Sequence, residues 1–342
     1  MKLLRQNSGI DMAKSSFVAG FTSIDTEHNI RQKRPKTFKN NLSGYVEFLK
    51  WIDGLQSNDI EMNFTMEATG VYYECLAYFL KERGKRVSVL LPNTVKKFGE
   101  SLNAKSKTDK IDSKIIGQMG VERILPEWKL SSKIYRELKT LTRERQRLVE
   151  NRTAVKNQLH AEEHTAHPLK TAVTRMKNHI KYLNKQIASI EDELKNKVSK
   201  DNFVSEKIKK VTTIPGISFI TAVTIVAETQ GFDNFTSSRQ LSSFAGYDIQ
   251  LKESGKFKGK TKISKKGNSH IRRAMYMPSL SIIGHSQTYK KIYDRLYEKK
   301  ENGLIAGTAI QRKLLILIYT LWKNDTEFDD NYQSKVAKID IR

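Results

Sequence analysis

Residues 60–70 read IEMNFTMEATG and decide the fold of the first part of the chain. Apolar and polar residues alternate up to Glu67, which places Met62, Phe64 and Met66 on one face. Alternation of this kind predicts a half-buried β-strand. Because Ala-Thr-Gly follows Glu67 directly, we expect this carboxylate to close the strand where a turn leads into a helix.

The rest of residues 1–128 also alternates between strand and helix patterns. Strand-like runs are predicted at 8–21, 60–67 and 86–91, and helices at 42–55, 72–83 and 108–120. Strands that alternate with helices indicate an α/β domain, in which helices cover a sheet.

Residues 129–204 are highly charged and helical in pattern, with apolar residues at three-four spacing on both sides of Pro168. Because proline interrupts a helix, we predict an antiparallel coiled-coil hairpin. Either the hairpin packs within its own chain or it mediates dimerisation. Arg145 and Arg152 occupy core-type positions, which argues against a simple zipper.

Two further segments complete the predicted organisation. Residues 205–325 form a mainly α C-terminal domain with basic loops. Residues 326–342 form a polar tail, and the acidic stretch from Asn324 onward is expected to fray.

The composition excludes several classes of protein. Lys and Arg number 61 against 37 for Asp and Glu, which gives a net charge of +24. A single cysteine excludes a disulfide scaffold and a four-cysteine zinc module. The apolar run that ends at Trp322 is too short to span a bilayer, and no secretory signal is evident, so we expect a cytoplasmic protein without a membrane partner. The excess positive charge favours a nucleic-acid partner.

Four carboxylates are candidates for a metal site. Asp11 lies in the first strand-like run and Glu67 ends another, while Asp109 and Asp112 share one face of a helix. Acidic side chains that converge require compensating charge, which divalent cations supply. Two such ions can stabilise the attacking and leaving oxygens of a phosphodiester. The alternative is that these acids are solvated, or balance a helix dipole.

A Pro-Gly turn at residues 215–216 suggests a second nucleic-acid contact. The sequence TTIPGI at 212–217 resembles a helix-hairpin-helix, in which the turn directs backbone N–H groups to a phosphate. We therefore predict that Pro215 and Gly216 contact DNA. The alternative is an ordinary turn between two helices.

A cationic loop carries the candidate nucleophile, Ser254, beside Gly255. A serine surrounded by lysines can attack a phosphodiester while the positive charge stabilises the transition state. In the alternative interpretation the loop only holds phosphates and the serine is inert. The side chains expected to contact nucleic acid here are Lys256, Lys258, Lys265, Lys266, Asn268, Arg272 and Arg273.

Taken in order, these motifs resemble the DEDD transposases of the insertion-sequence family related to the Piv DNA invertase. The motifs are GID at 9–11, E-x-TG-x-Y at 67–72, KTD-x-x-D at 107–112, IPGI at 214–217, SG at 254–255 and ISK-x-GN at 263–268. Each is weak alone, but the ordered set covers essentially the whole chain.

The resemblance implies an RNase H/RuvC-like N-terminal domain and a separate C-terminal transposase domain. It implies that Asp11, Glu67, Asp109 and Asp112 form an acidic tetrad that binds Mg²⁺, with Mn²⁺ as a possible substitute, and that Ser254 links covalently to DNA. It further implies double-stranded DNA as substrate and a structured guide RNA from the element's noncoding end. The active site would be composite, in a dimer that pairs into a tetramer in the bacterial or archaeal cytoplasm, associated with the nucleoid.

Three positions depart from the family pattern. Ser113 stands where alanine is frequent, Tyr247 where leucine is frequent, and Ile249 where proline is common. None of these changes removes a functional atom, but the missing proline alters the path of the loop before Ser254.

Two other functions fit the sequence. A RuvC-like metal-dependent nuclease would hydrolyse DNA at the tetrad and use Ser254 only as a phosphate contact. A non-enzymatic nucleic-acid-binding protein would bind in a salt-sensitive way without breaking strands.

Overall fold

The computed structural model describes residues 2–106, 108–251, 253–255, 257–259 and 262–330. The chain divides into two compact units, Met1–Leu130 and Ser131–Arg342. The division falls close to the predicted boundary at 128/129. The second unit contains both the predicted hairpin and the predicted C-terminal domain.

The first unit is built on one mixed sheet. Its strands are β1 (Leu3–Met12), β2 (Ser16–Asp25), β3 (Ile30–Gln32), β4 (Lys36–Lys39), β5 (Met62–Glu67) and β6 (Arg86–Leu90). The order is β3-β2-β1-β5-β6, with β4 paired to β2. Strand β1 runs antiparallel to β2 and parallel to β5, and β5 runs parallel to β6.

The prediction of one extended run at 8–21 is wrong, because this segment forms a hairpin. The Ala13 N–H donates to the Ser16 carbonyl at 2.9 Å and closes the turn between β1 and β2. Both strands are buried on both faces over most of their length, so neither shows the period-two pattern that separates strands in a sequence.

Four helices accompany this sheet: α1 (Leu42–Asp53), α2 (Glu74–Lys81), α3 (Pro92–Ser101) and α4 (Asp109–Glu122). The helices expected near 42–55, 72–83 and 108–120 are therefore present. Helix α3 was not predicted, because Pro92 was interpreted only as the end of a strand. Proline is also favoured in the first turn of a helix, where its missing N–H has no partner to lose.

Helix α4 lies directly on strands β1 and β2 because glycines remove the side chains between them. A Cβ atom built on Gly9 would lie 2.1 Å from the Gly117 nitrogen and 2.2 Å from the Ser113 carbonyl oxygen. The buried Asn7 side chain of β1 donates to the Gly117 carbonyl at 3.1 Å. The same Asn7 accepts the Thr65 hydroxyl from β5 at 2.9 Å. These contacts fix α4 at one height on the sheet.

The second unit begins with two long antiparallel helices, α5 (Lys133–Glu163) and α6 (Lys170–Ser199). The chain reverses through Pro168, as predicted. The two arginines at the predicted core-type positions have polar partners on α6: Arg145 pairs with Glu191, and Arg152 donates to Asn184 at 2.9 Å. The two helices therefore satisfy their polar seam positions within the chain, while coiled-coil geometry and dimerisation stay predictions.

The remaining elements make this unit mainly helical, as expected. The helices are α7 (Asn202–Thr212), α8 (Phe219–Thr229), α9 (Ser238–Ala245), α10 (Ser269–Ala274), α11 (Tyr276–His285), α12 (Gln287–Lys300) and α13 (Gly303–Asn324). Two small ladders lie between α9 and α10: β7 (Ile249–Gln250) with β10 (Lys262–Ile263), and β8 (Glu253–Ser254) with β9 (Phe257–Lys258).

Helix α13 passes through the middle of the core of the second unit. Of the described residues, only this helix is long and apolar enough, by length and composition, to cross a membrane. Its buried stripe includes Ile310, Leu314 and Ile318, which pack with the other core residues of the unit. A central core helix has the same length and composition, and the sequence prediction considered only the shorter stretch 314–322.

The expectation that the chain frays from Asn324 is wrong for residues 325–330. The Asp325 carboxylate accepts from Lys210 at 2.8 Å, and Asp330 accepts from the Ser286 hydroxyl at 2.6 Å. Phe328 packs against the core between them. The rest of the predicted polar tail, 331–342, lies outside the described residues.

We expect Gly9→Ala to lower the free energy of unfolding of the full chain by about 1–3 kcal/mol, because the added methyl group overlaps the backbone of α4. Urea denaturation followed by circular dichroism measures this. The control is Gly54→Ala, whose added methyl would lie no closer than 3.7 Å to its neighbours at an ordinary φ of −76°. Equal stability of the two variants would contradict the proposed close contact.

Candidate active site

The four predicted carboxylates line one cavity of the first unit. Asp11, Glu67, Asp109 and Asp112 all contribute to its wall, and its volume is about 850 Å³. Helix α3, which the sequence did not reveal, contributes further residues to the wall. The structure therefore brings together residues that are separated by up to a hundred positions in the chain.

The parallel register of β1 and β5 places Asp11 next to Glu67. Ile10 is the register partner of Met66, so the following residue on each strand stands at the carboxyl end of the sheet. Both carboxylates are half-buried. Ligand sites in open α/β sheets form at this end of the strands, where loops leave the sheet.

The residues after Glu67 hold its carboxylate in place. The Thr69 hydroxyl donates to Glu67 Oε1 at 3.3 Å, and the Thr69 N–H donates to the Glu67 carbonyl at 2.8 Å. Gly70 follows with a φ of +57°, in the left-handed region that favours glycine. This explains in physical terms why threonine and glycine follow the acid at these spacings.

Asp109 and Asp112 lie in the first turn of α4. Thr108 caps that helix, since its hydroxyl accepts the Ile111 N–H at 3.3 Å. Their position in the first turn also suits the alternative role, in which the two negative charges interact favourably with the helix dipole. Ser113, one of the departures from the family pattern, is fully buried and donates to the Lys110 carbonyl at 3.0 Å.

The donor chemistry of this cavity fits a hard divalent cation, since Mg²⁺ and Mn²⁺ prefer carboxylate oxygens. The side chains are not gathered around a single point, however. Among the residues that the structure describes, no three acidic, histidine or cysteine side chains are grouped closely enough to hold an ion. Lys96 and Glu100 of α3 also line the cavity.

The candidate nucleophile lies in the second unit, in a loop whose two ends are fastened to each other. Gly246 and Gly267 touch closely, because a Cβ on Gly267 would lie 2.6 Å from the Gly246 nitrogen. The Lys265 N–H donates to the Gly246 carbonyl at 3.1 Å. Asp248 accepts from Ser264 twice, from its N–H at 2.7 Å and from its hydroxyl at 2.6 Å.

Ser254 stands at the far end of this loop and is exposed. It pairs with Phe257 across the β8–β9 ladder, and Gly255 makes the turn with a φ of +55°. Ile249, where proline is common in the family, pairs with Ile263 in the other ladder. The predicted contact Lys256 lies outside the described residues, as does the side chain of Lys258.

Several predicted nucleic-acid contacts have structural partners. Gly216 has a φ of +85°, and a Cβ there would lie 2.6 Å from Ser281, so the Pro215–Gly216 turn packs against α11. Arg272 donates to the Ala245 carbonyl at 2.8 Å and Arg273 pairs with Glu150. Helices α7 and α8 flank this turn, while the helix-hairpin-helix motif and its binding of DNA stay predictions.

Of the other predicted contacts, Lys265 and Lys266 are exposed, whereas Asn268 has partners within the unit. The two lysines are exposed, and Lys265 has a φ of +52°. Asn268 caps α10 by accepting the His270 N–H at 2.9 Å, and its amide donates to Glu228 at 2.7 Å. Asn268 therefore has a structural role that the sequence did not reveal.

Sequence reasoning missed Glu228, which is only 2% exposed and is the centre of a charged cluster. Arg143 of α5 donates to both of its oxygens, at 2.6 and 3.0 Å. Burial alone would raise the pKa of Glu228, but the hydrogen bonds from Arg143 and Asn268 outweigh it and lower the pKa. Burial, followed by the charge of Arg143, lowers the pKa of nearby His270. A lone glutamate in an apolar helix was the available signal.

Comparison with known proteins defines the class. The pilin gene-inverting proteins of Moraxella bovis and Moraxella lacunata are each 26% identical over 94% of this chain and 97% of their own length. The transposase for insertion sequence element IS1328 of Yersinia enterocolitica is 28% identical over 58% of this chain and 65% of its own. The match to a structure of T. thermophilus RuvC in complex with Holliday junction substrate covers 33% of this chain and 91% of that chain, at 11% identity and a TM-score of 0.26.

The chain is thus a transposase, an enzyme of DNA recombination. Residues 8–166 match the family model of DEDD transposases of the IS110 type, and residues 208–294 match that of the IS116/IS110/IS902 transposases. The chain belongs to the IS110 family of transposases.

We expect Glu228→Gln to lower the free energy of unfolding by about 1.5–3 kcal/mol at neutral pH, since it removes a charge-assisted pair at a buried acceptor. Because the folded pKa of Glu228 is lowered, its contribution is complete above the ordinary glutamate range and is lost as the pH falls through the folded pKa. The difference between wild type and variant should therefore shrink on acidification, as urea denaturation at several pH values measures. Glu137→Gln, at a more exposed pair, is the control and should lower the free energy of unfolding clearly less.

Proposed function

We propose that this transposase cuts and rejoins DNA through a phosphoserine intermediate at Ser254, with the acidic tetrad as a divalent-metal site. The observation that carries the proposal is the shared cavity of Asp11, Glu67, Asp109 and Asp112 at the carboxyl ends of β1 and β5. The exposed position of Ser254 at the tip of a fastened, lysine-rich loop supports the second half of it.

The tetrad would hold a divalent cation, Mg²⁺ in preference to Mn²⁺, which supplies positive charge against the phosphate oxygens when bound. Ser254 Oγ attacks the scissile phosphorus, so that an Oγ–P bond forms while the bond from phosphorus to the leaving strand oxygen breaks. The proton lost by Ser254 is matched by the one gained at the leaving hydroxyl. A strand hydroxyl then attacks the same phosphorus, releases Ser254 and restores the phosphodiester, so no external energy source is consumed.

The partners follow from the same proposal. Double-stranded DNA is the substrate, and a structured RNA from the element's noncoding end supplies sequence information by base pairing. The net charge of +24 supports a chain that binds two polyanions. The active enzyme is an oligomer that acts in the cytoplasm.

A covalent-adduct trap tests the serine. Protein, RNA transcribed from the element's flanks, labelled junction DNA and Mg²⁺ are mixed and denatured, and label that migrates with protein is measured. We expect Ser254→Ala to abolish the adduct, since no other atom can replace Oγ. Ser243→Ala, an exposed serine on the helix that leads into the loop, is the control and should leave it unchanged. Cleaved DNA without adduct in the wild type, insensitive to Ser254→Ala, would leave the RuvC-like nuclease as the function.

The tetrad is tested by a charge-removing pair of variants from the same cavity. We expect Asp11→Asn to reduce adduct formation by about 100-fold or more, because it removes one carboxylate from the proposed metal site. Glu100→Gln lines the same cavity without belonging to the tetrad and should retain activity. A Mg²⁺ titration of each variant separates weakened metal binding from a misfolded site. Equal losses in both variants would contradict a specific role for the tetrad.

A further inference from the structure

A second cavity opens on the helical unit, and none of the residues considered so far as functional lines it. Its volume is about 570 Å³, and it is formed by α11, α12 and the first turns of α13. This size falls within the range of about 300–1,000 Å³ that is usual for pockets that bind small flat molecules.

The walls of this cavity are largely aromatic and open to solvent. Tyr276 and Tyr297 are 47% and 49% exposed, and Leu304, which also lines the cavity, is 73% exposed. Tyr293 stacks on Tyr297 with ring centroids 6.1 Å apart and planes inclined by 15°. Exposed tyrosine faces bind planar rings by stacking, and nucleobases are such rings.

The floor of the cavity offers a fixed hydrogen-bond donor. Gln311 lines the cavity from α13 and is 8% exposed. Its Oε1 accepts the hydroxyl of the buried Tyr247 at 2.9 Å, which orients the carboxamide. Because the oxygen side is held, the NH₂ side is left to donate to a ring nitrogen or carbonyl of a ligand. The family often has leucine at position 247, and the hydroxyl group that Tyr247 has instead is the one that holds Gln311.

The lining contains one charged acceptor, Glu301, and helix α12 carries lysines beyond the lining. Lys290 and Lys300 are exposed and lie on the same helical face of α12 as Tyr293 and Tyr297, at intervals of three to four residues. Lysines beside a stacking platform attract the phosphates that connect one base to the next. The Glu301 carboxylate can accept a hydrogen bond from a base N–H, such as the ring imide of thymine or uracil.

We propose that this cavity binds an unstacked base of a single-stranded nucleic acid. Stacking tyrosines, a buried carboxamide and flanking lysines are together the groups that recognise a base and its phosphates. A displaced DNA strand and an RNA loop present the same chemistry. The proposal concerns a site distinct from Ser254 and the tetrad, and it holds whether or not a phosphoserine forms.

The test compares strands that differ only in their bases. Affinities of the full-length protein for short oligothymidylate and oligouridylate, and for matched abasic strands, are measured by fluorescence anisotropy. The ratio of base-containing to abasic affinity cancels the phosphate contribution. We expect the double variant Tyr276→Leu/Tyr297→Leu to reduce this ratio about 5- to 150-fold, as the loss of one stacked base predicts, with unchanged affinity for abasic strands. Tyr276→Phe/Tyr297→Phe keeps both rings and should retain the wild-type ratio.

The two arms identify the source of the base. A loss confined to oligothymidylate indicates a DNA strand, and a loss confined to oligouridylate indicates RNA. An unchanged ratio in the leucine variant, or an equal fall for abasic strands, would overturn the proposal. So would an unchanged ratio together with a lower sedimentation coefficient of the nucleic-acid-free protein, which would assign this surface to a second copy of the chain. The adduct trap reports separately on the serine chemistry.

Discussion

The glycine contact between α4 and strand β1 is the constraint on which the first unit depends. Without a side chain at Gly9, the helix backbone approaches the strand closely, and Asn7 fixes its height by donating to Gly117. The first turn of α4 is thereby carried to the sheet edge where Asp11 and Glu67 end their strands. The position of Asp109 and Asp112 therefore depends on a glycine contact and a buried asparagine outside the cavity.

Much of this arrangement is predictable from the sequence element by element, but the way in which the elements pack together is not. The alternation up to Glu67 defines β5, and the spacing of Asp109 and Asp112 places both on one helical face. The hairpin of β1 and β2 was missed because both strands are buried on both faces, and α3 was missed because proline can either end a strand or begin a helix. That the four acids line one cavity follows from strand order and register, which a single sequence does not encode locally.

The helical unit shows a different limit of sequence reasoning. Asn268 and Arg272 were predicted to contact nucleic acid, yet they donate to Glu228 and to the Ala245 carbonyl. Polar residues that cap helices and residues that bind phosphates have the same composition, so only the partners distinguish them. Glu228 was not predicted as part of a charged cluster, because its partners Arg143 and Asn268 lie far away in the chain. The cluster joins the base of the long hairpin to the helix that follows the serine loop.

The fastened ends of the serine loop have a consequence for how such enzymes diverge. Gly246 and Gly267 allow the two ends of the loop to lie in close contact, and hydrogen bonds from Ser264 to Asp248 hold them together. The entropic cost of closing a loop grows only slowly with its length. Residues between Asp248 and Ser264 can therefore change in number while the hydrogen bonds at the two ends of the loop keep α9 and α10 in place. The part of the loop that carries Ser254 is thus expected to tolerate changes in length more readily than the helices α9 and α10 on either side.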